Sequence, residues 1–152
     1  MKPILFRKGL AEAILEGRKT QTRRVVKNIP EWTKRVEMHH DYTWVAYQDT
    51  MGQSIGKCPY GEIGSELWVK QGLYMPQKDA KIFLQITNVR IERVQDITTK
   101  EALAEGMWNS LASAPALTLI ALFRHTWNDI NKKRGFGWDV NPWVWVISFK
   151  KI

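Results

Sequence analysis

The residues best suited to chemistry lie in one short run, Gly17-Arg18-Lys19-Thr20-Gln21-Thr22-Arg23-Arg24. A lysine amine and a threonine hydroxyl can act together, the amine drawing off the hydroxyl proton as the oxygen attacks an electrophile. An ordinary lysine is protonated and useless as a base. The guanidiniums of Arg18, Arg23 and Arg24, with partial burial, would weaken its hold on the proton. Lys19 and Thr22 are three apart, and on a flat strand an odd spacing sends side chains to opposite faces. Cooperation between them therefore requires a curled backbone. The competing reading is that all these cations are surface or phosphate contacts.

A second constellation is aromatic. The chain has eight tryptophans, at positions 32, 44, 68, 108, 127, 138, 143 and 145. Trp68, Trp143 and Trp145 fall in apolar, strand-like runs and Trp127 on a helical face, which is the pattern of core residues. Aromatics beside cations can stack on unpaired bases, at about 1–3 kcal/mol each. Phe136 and Trp138, in a Gly-rich turn beside Lys132, Lys133 and Arg134, are the best placed for that. Metal chemistry has little support: His39 and His40 are adjacent, Cys58 and His125 are distant, and no spacing resembles a zinc site. No cofactor-binding glycine motif is present.

The elements that must position these groups can be read from periodicity. Ile4 to Phe6 is a short apolar run, a candidate first strand. Leu10, Ala13 and Ile14 follow at helical spacing with Gly17 just past the end, predicting a helix over residues 9–16. Residues 28–60 resist assignment apart from the aromatic, strand-like run Tyr42 to Tyr47. Leu67-Trp68-Val69 reads as a strand. A longer strand spans 81–94 with alternating apolar residues and a bend near Asn88. Thr98 and Glu101 form a capping box with Gly106 beyond, predicting a helix over 99–105. Leu117, Ile120, Ala121 and Trp127 predict an amphipathic helix at 116–131. Trp143 to Phe149 is apolar on both faces until Ser148, as in a barrel wall covered by a helix. The sum is an α+β chain, read as a single domain over 1–152.

Composition narrows the class. The chain has 152 residues, of which 44% are apolar, enough for one core. The apolar stretches are too short for a membrane span and the N-terminus lacks the pattern of a signal peptide. A single cysteine, Cys58, excludes an internal disulfide and suits a reducing cytoplasm. The net charge is +8, and five cations with no acid lie between Gly17 and Pro30. Such a focus attracts polyanions.

Four ordered blocks carry a resemblance: "ILEGRKTQTRR", "CPYGEIGSELWV", "LQITNVRIERVQDIT" with "EALAEG", and "GWDVNPWVWVISF". Together they resemble the ASCH domain, a small β-barrel similar to the PUA fold, and most closely the ASCH proteins common in phages and prophages. One branch of that superfamily removes the acetyl group from N4-acetylcytidine. The resemblance to that branch implies Lys19 as proton acceptor, Thr22 as nucleophile and Glu105 as proton donor. A glutamate at a helix C-terminus is disfavoured by the dipole, so Glu105 is either exposed at small cost or held for a purpose. Other ASCH proteins are implied to bind RNA, and some to cut it, through the same basic cleft. Phage-type members often carry an aspartate and a further acid where this chain has Ser65 and Gln71.

Three functions therefore compete: an amidohydrolase acting on an N4-acetylcytidine-like substrate, an RNA-binding module or ribonuclease, and a protein that acts by binding another protein. For the first two, Arg18, Thr20, Arg23, Arg24, Trp68, Lys70, Arg134, Phe136 and Trp138 are the candidate contacts to RNA or a modified nucleoside. No metal, cofactor or membrane partner is expected.

Overall fold

The structure, a computed structural model, describes residues 1–108 and 116–152. Its centre is the strand that the sequence marks as apolar on both faces, β8 (Trp143–Lys151). On one face Trp145, Ile147 and Phe149 join a core with Ile4, Leu67, Leu84 and Ile86. On the other, Val144 and Val146 pack with Val94, Ala102, Phe123 and Trp127. Period-two alternation thus feeds two separate cores from one strand, which explains why neither face is polar.

Around β8 lies a five-stranded sheet in the order β1-β6-β7-β8-β2. It consists of β1 (Lys2–Leu5), parallel to β6 (Glu66–Lys70), then β7 (Phe83–Arg93) and, beyond β8, β2 (Gln21–Val25). The bend expected near Asn88 is a register shift between Ile86 and Asn88. Residues 28–60 hold an antiparallel three-stranded sheet of β3 (Arg35–Met38), β4 (Trp44–Gln48) and β5 (Met51–Gly56). It closes over the first core through Trp44, whose ring meets Trp145 edge-on at 5.7 Å.

The α+β reading holds, but the described strands do not form a closed hydrogen-bonded barrel. β1 and β2 are the two edges of the large sheet and do not pair. Where they would have to meet, the Arg24 side chain donates to the Leu5 carbonyl at 2.7 Å. A side chain bridges the seam in place of backbone, leaving space beside it.

Three helices cover the sheet. Helix α1 (Lys8–Leu15) ends at Gly17, which takes the left-handed conformation of a helix stop. Helix α2 (Thr99–Ala104) has the expected capping box: Thr98 Oγ1 accepts from the Glu101 amide, and Glu101 accepts in return from the Thr98 amide. Helix α3 (Ala116–Asn131) has the expected bounds, and Ile120 and Trp127 of the expected face pack on the second core. Leu119, Phe123 and Trp127, four apart, are buried, whereas Ala121 is exposed and the Leu117 side chain lies outside the described set. The inward face is thus shifted slightly from the expected one, towards Leu119 and Phe123, which pack with Val144 and Val146. Among the described residues no helix is long and apolar enough to cross a membrane.

Candidate functional site

The seam between the sheet edges opens into a cavity of about 270 Å³, bounded by the end of β1, the start of α1, β2, the end of α2 and α3. Lys19, Thr22 and Glu105 all line it. The curled backbone that Lys19 and Thr22 require is present. Lys19 precedes β2, forming an isolated antiparallel bridge to Glu105, and the Thr20 amide donates to the Ala104 carbonyl at 2.8 Å. Residue 19 thereby follows the end of α2, and Thr22 follows β8.

Glu105 is the C-cap of α2, and the capping box at the helix's other end sets where it falls. Gly106 follows with φ +93°; a Cβ there would lie 3.2 Å from Lys19 Cβ and 3.3 Å from Ala13 Cβ. Only glycine combines that backbone with so close an approach. Glu105 is 4% exposed and Lys19 2%. Lys19 Nζ donates to Glu105 Oε2 at 2.9 Å, to the Glu105 carbonyl at 2.8 Å and to the Gln21 carbonyl at 2.7 Å. Burial pushes the Lys19 ammonium below its ordinary range; Glu105 opposes this, and Arg24 and Arg23 add to it.

The second oxygen of Glu105 accepts from Arg23 Nη1 at 3.1 Å. Arg23 Nη2 also donates to Glu92 at 2.6 Å and to Glu101, and Arg90 joins both carboxylates. Burial works against the Arg23 charge, but Glu105, Glu92 and Glu101 outweigh it and raise the guanidinium's proton affinity. Glu101 therefore has two tasks, with one oxygen capping α2 and the other holding Arg23. Burial raises its carboxyl, but the Arg23 contacts outweigh that and hold it below the usual carboxylate range. The sequence pattern showed Glu101 as a cap only, because its partners lie 78 and 11 positions away.

Arg24 faces the opposite way from Arg23, with its guanidinium 4.9 Å from the Phe6 ring and 5.8 Å from the Tyr60 ring. Phe6, Tyr60, Phe123 and Trp127 supply apolar walls, and Arg7, Lys27 and Arg134 stand at the rim. None of these except Arg134 was singled out for the site from sequence. The signal available was weak: Phe6 and Arg7 directly end the first strand, and Tyr60 sits in a Cys-Pro-Tyr-Gly turn.

The remaining candidates lie elsewhere. Trp68 is buried within β6, and Lys70 closes that strand, its carbonyl accepting from the Phe6 amide. Arg18 is exposed and pairs with Glu16 at 2.7 Å, while Thr20 joins β8 through its carbonyl. Trp138 packs edge-on against Phe123 at 6.2 Å, and the Phe136 carbonyl accepts from Trp127 Nε1 at 2.8 Å. The Trp138 ring and the Phe136 backbone thus contact α3, a wall of the cavity, and neither residue lines the cavity itself. Ser65 Oγ accepts from the Glu62 amide, and Gln71 is exposed.

No family model matches the sequence, and no curated protein matches it significantly. Solved structures do. Protein EF3133 from Enterococcus faecalis V583, assigned to the family model DUF984, aligns with 100% of this chain and 76% of its own at 13% identity, with a TM-score of 0.57. An ASCH domain from Lactobacillus crispatus JV V101 aligns with 99% of this chain and 79% of its own, also at 13% identity, with a TM-score of 0.53. The chain has an ASCH-like fold. At this identity the likeness is one of architecture.

Proposed function

We propose that the chain binds a nucleotide unit of RNA or a modified nucleoside in this cavity and hydrolyses the acyl amide of an N4-acetylcytidine-like substrate. One observation carries the reading: Lys19, Thr22 and Glu105 line a single cavity, with Lys19 Nζ 2.9 Å from Glu105 Oε2. Its volume of about 270 Å³ lies just below the roughly 300–1,000 Å³ usual for small-molecule sites, so it suits nothing larger than one nucleoside. Aromatic walls and cationic rim groups fit a base and its backbone.

Burial disfavours the charged form of Lys19. A proton passing from Nζ to Glu105 Oε2 leaves an amine beside a carboxylic acid, the base and the acid that amide cleavage needs. Thr22 Oγ1 attacks the acyl carbonyl, Lys19 takes the hydroxyl proton, and the C–N bond breaks as Glu105 protonates the leaving amine. The products are an acyl-threonine ester and the restored ammonium–carboxylate pair. Water then attacks the ester, giving one proton to Glu105, while Lys19 returns one to the Thr22 oxygen and the free acid leaves.

The test is acetate release from N4-acetylcytidine. Lys19→Ala lowers turnover by about 10²–10⁴-fold, the usual contribution of a general base; Thr22→Val abolishes it and Thr22→Ser retains part. Unchanged turnover in Lys19→Ala rules the mechanism out.

A second reading is favoured by one feature. All three Lys19 Nζ protons have acceptors within the protein, so the group is also a fully satisfied structural cation. On that reading the cavity binds RNA without hydrolysis, and the same assay yields salt-dependent binding with no acetate and no strand cleavage.

A further inference from the structure

We propose that the rim of this cavity is a phosphomonoester site built on Arg24, so that the ligand is a phosphorylated nucleotide and not a free nucleoside. The inference rests on the cavity being a nucleotide site, and it specifies the substrate class.

The first support is a charge balance. Six cations line the cavity and Glu105 is the acid facing them. Lys19 and Arg23 are held by Glu105, Glu92 and Glu101. Arg7, Arg24, Lys27 and Arg134 have no carboxylate within salt-bridge distance among the described residues. The rim is thus an uncompensated positive field over a compensated floor.

The second support is the condition of Arg24. Its guanidinium is immobilised between Phe6 and Tyr60 and tied to the Leu5 carbonyl by one Nη2 bond at 2.7 Å. Its buried Nε has no acceptor, as is true of the Arg23 Nε, but unlike Arg23, whose two terminal nitrogens are both bonded, its Nη1 donates to none of the described residues. A guanidinium carries five donors in a fixed fork, so most of this one's capacity is unspent. Leaving a buried donor unmade is costly, and an arriving anion removes that cost. Burial lowers the Arg24 proton affinity; Tyr60 and Glu105 oppose this, and Arg134, which lines the same cavity, adds repulsion. An anion between them converts that repulsion into two attractions.

The chemistry of the anion follows from the walls and the count. Four free cations suit a dianion better than a single carboxylate, and a phosphomonoester carries about −1.5 to −2 charges at neutral pH. Its three acceptor oxygens match an arginine fork. The aromatic walls and the small volume leave room for one base beside it. A mononucleotide and the phosphorylated end of an RNA share this chemistry.

Calorimetric titration of the full chain with cytidine, cytidine 5′-monophosphate and a short RNA with and without a 5′-phosphate tests the site. The expected result is that the monophosphate binds at least about tenfold tighter than cytidine, and that high salt narrows the ratio. Arg24→Ala and the exposed-site variant Arg134→Ala each shrink it, and Arg24→Lys, which keeps charge without the fork, restores part. A phosphate preference in the RNA pair as well extends the site to strand ends; a preference in the mononucleotide alone limits it to free nucleotides. Equal binding of cytidine and its monophosphate, or no binding of either, overturns the proposal. Acetate release indifferent to phosphate also overturns it while leaving hydrolysis standing. Phosphate-selective binding without acetate release overturns hydrolysis and leaves the phosphate site.

Discussion

The floor and the rim of the cavity use the same residue types in opposite ways. On the floor, Lys19 and Arg23 are buried and every charge is answered by a glutamate. At the rim, Arg24 and Arg134 repel each other and neither has a carboxylate within salt-bridge distance among the described residues, Glu105 acting on Arg24 only from farther off. Adjacent residues Arg23 and Arg24 end on different sides because β2 alternates. Identical arginines one position apart thus differ in their partners. Both leave Nε without an acceptor, but Arg23 is clamped by three glutamates and Arg24 is tied only to the Leu5 carbonyl, which makes it the proposed anion receptor. The difference teaches that the cluster of cations in the sequence is two systems, one of which stabilises the fold while the other is held ready for a ligand.

The comparison breaks first at Glu105. Replacing it with Ala leaves the buried Lys19 without its acid and Arg23 with Glu92 and Glu101 alone, and the expected loss is about 3–5 kcal/mol, read from urea unfolding. A loss under about 1 kcal/mol would show that the floor does not depend on its acid. Glu101 gives the next, smaller effect, as a pH dependence. Its carboxyl is held below the ordinary value of 4.5 by Arg23 against the opposing effect of burial. Between the folded value and 4.5 the unfolded chain binds more protons. Its contribution is therefore complete above that range and disappears as the pH falls through the folded value. Glu101→Gln should flatten this acid limb; a wild-type limb in the variant assigns it to other carboxylates. The smallest effect belongs to the rim. Arg134→Ala should change stability by no more than about 0.5 kcal/mol while weakening anion binding, and a large stability loss would merge rim and floor into one system.

Much of the frame was legible in the chain. The capping box of Thr98 and Glu101 starts α2, and counting forward puts Glu105 at its end, beside Gly106. The two-faced apolar run of β8 indicated a strand with cover on both sides, as found. Residues 28–60 were less readable because their sheet is half exposed; β5 buries only Ile55, so its alternation is faint. Phe136 and Trp138 were hard to read for a different reason. Aromatics beside cations look alike whether they await a base or brace a helix; here the Trp138 ring packs on Phe123 of α3 and neither residue lines the cavity.

Local chemistry, namely caps, glycine stops and alternating apolar residues, settled on its own where the helices and central strands run, since those effects act within a few positions. The burial of Arg23, the facing of Arg24 and the meeting of Lys19 with Glu105 join residues as far as 86 positions apart. Such contacts depend on how the sheet edges are left open and which face of α3 packs down. Those are properties of the assembled fold, because charges separated along the chain compensate one another only once burial has brought them together.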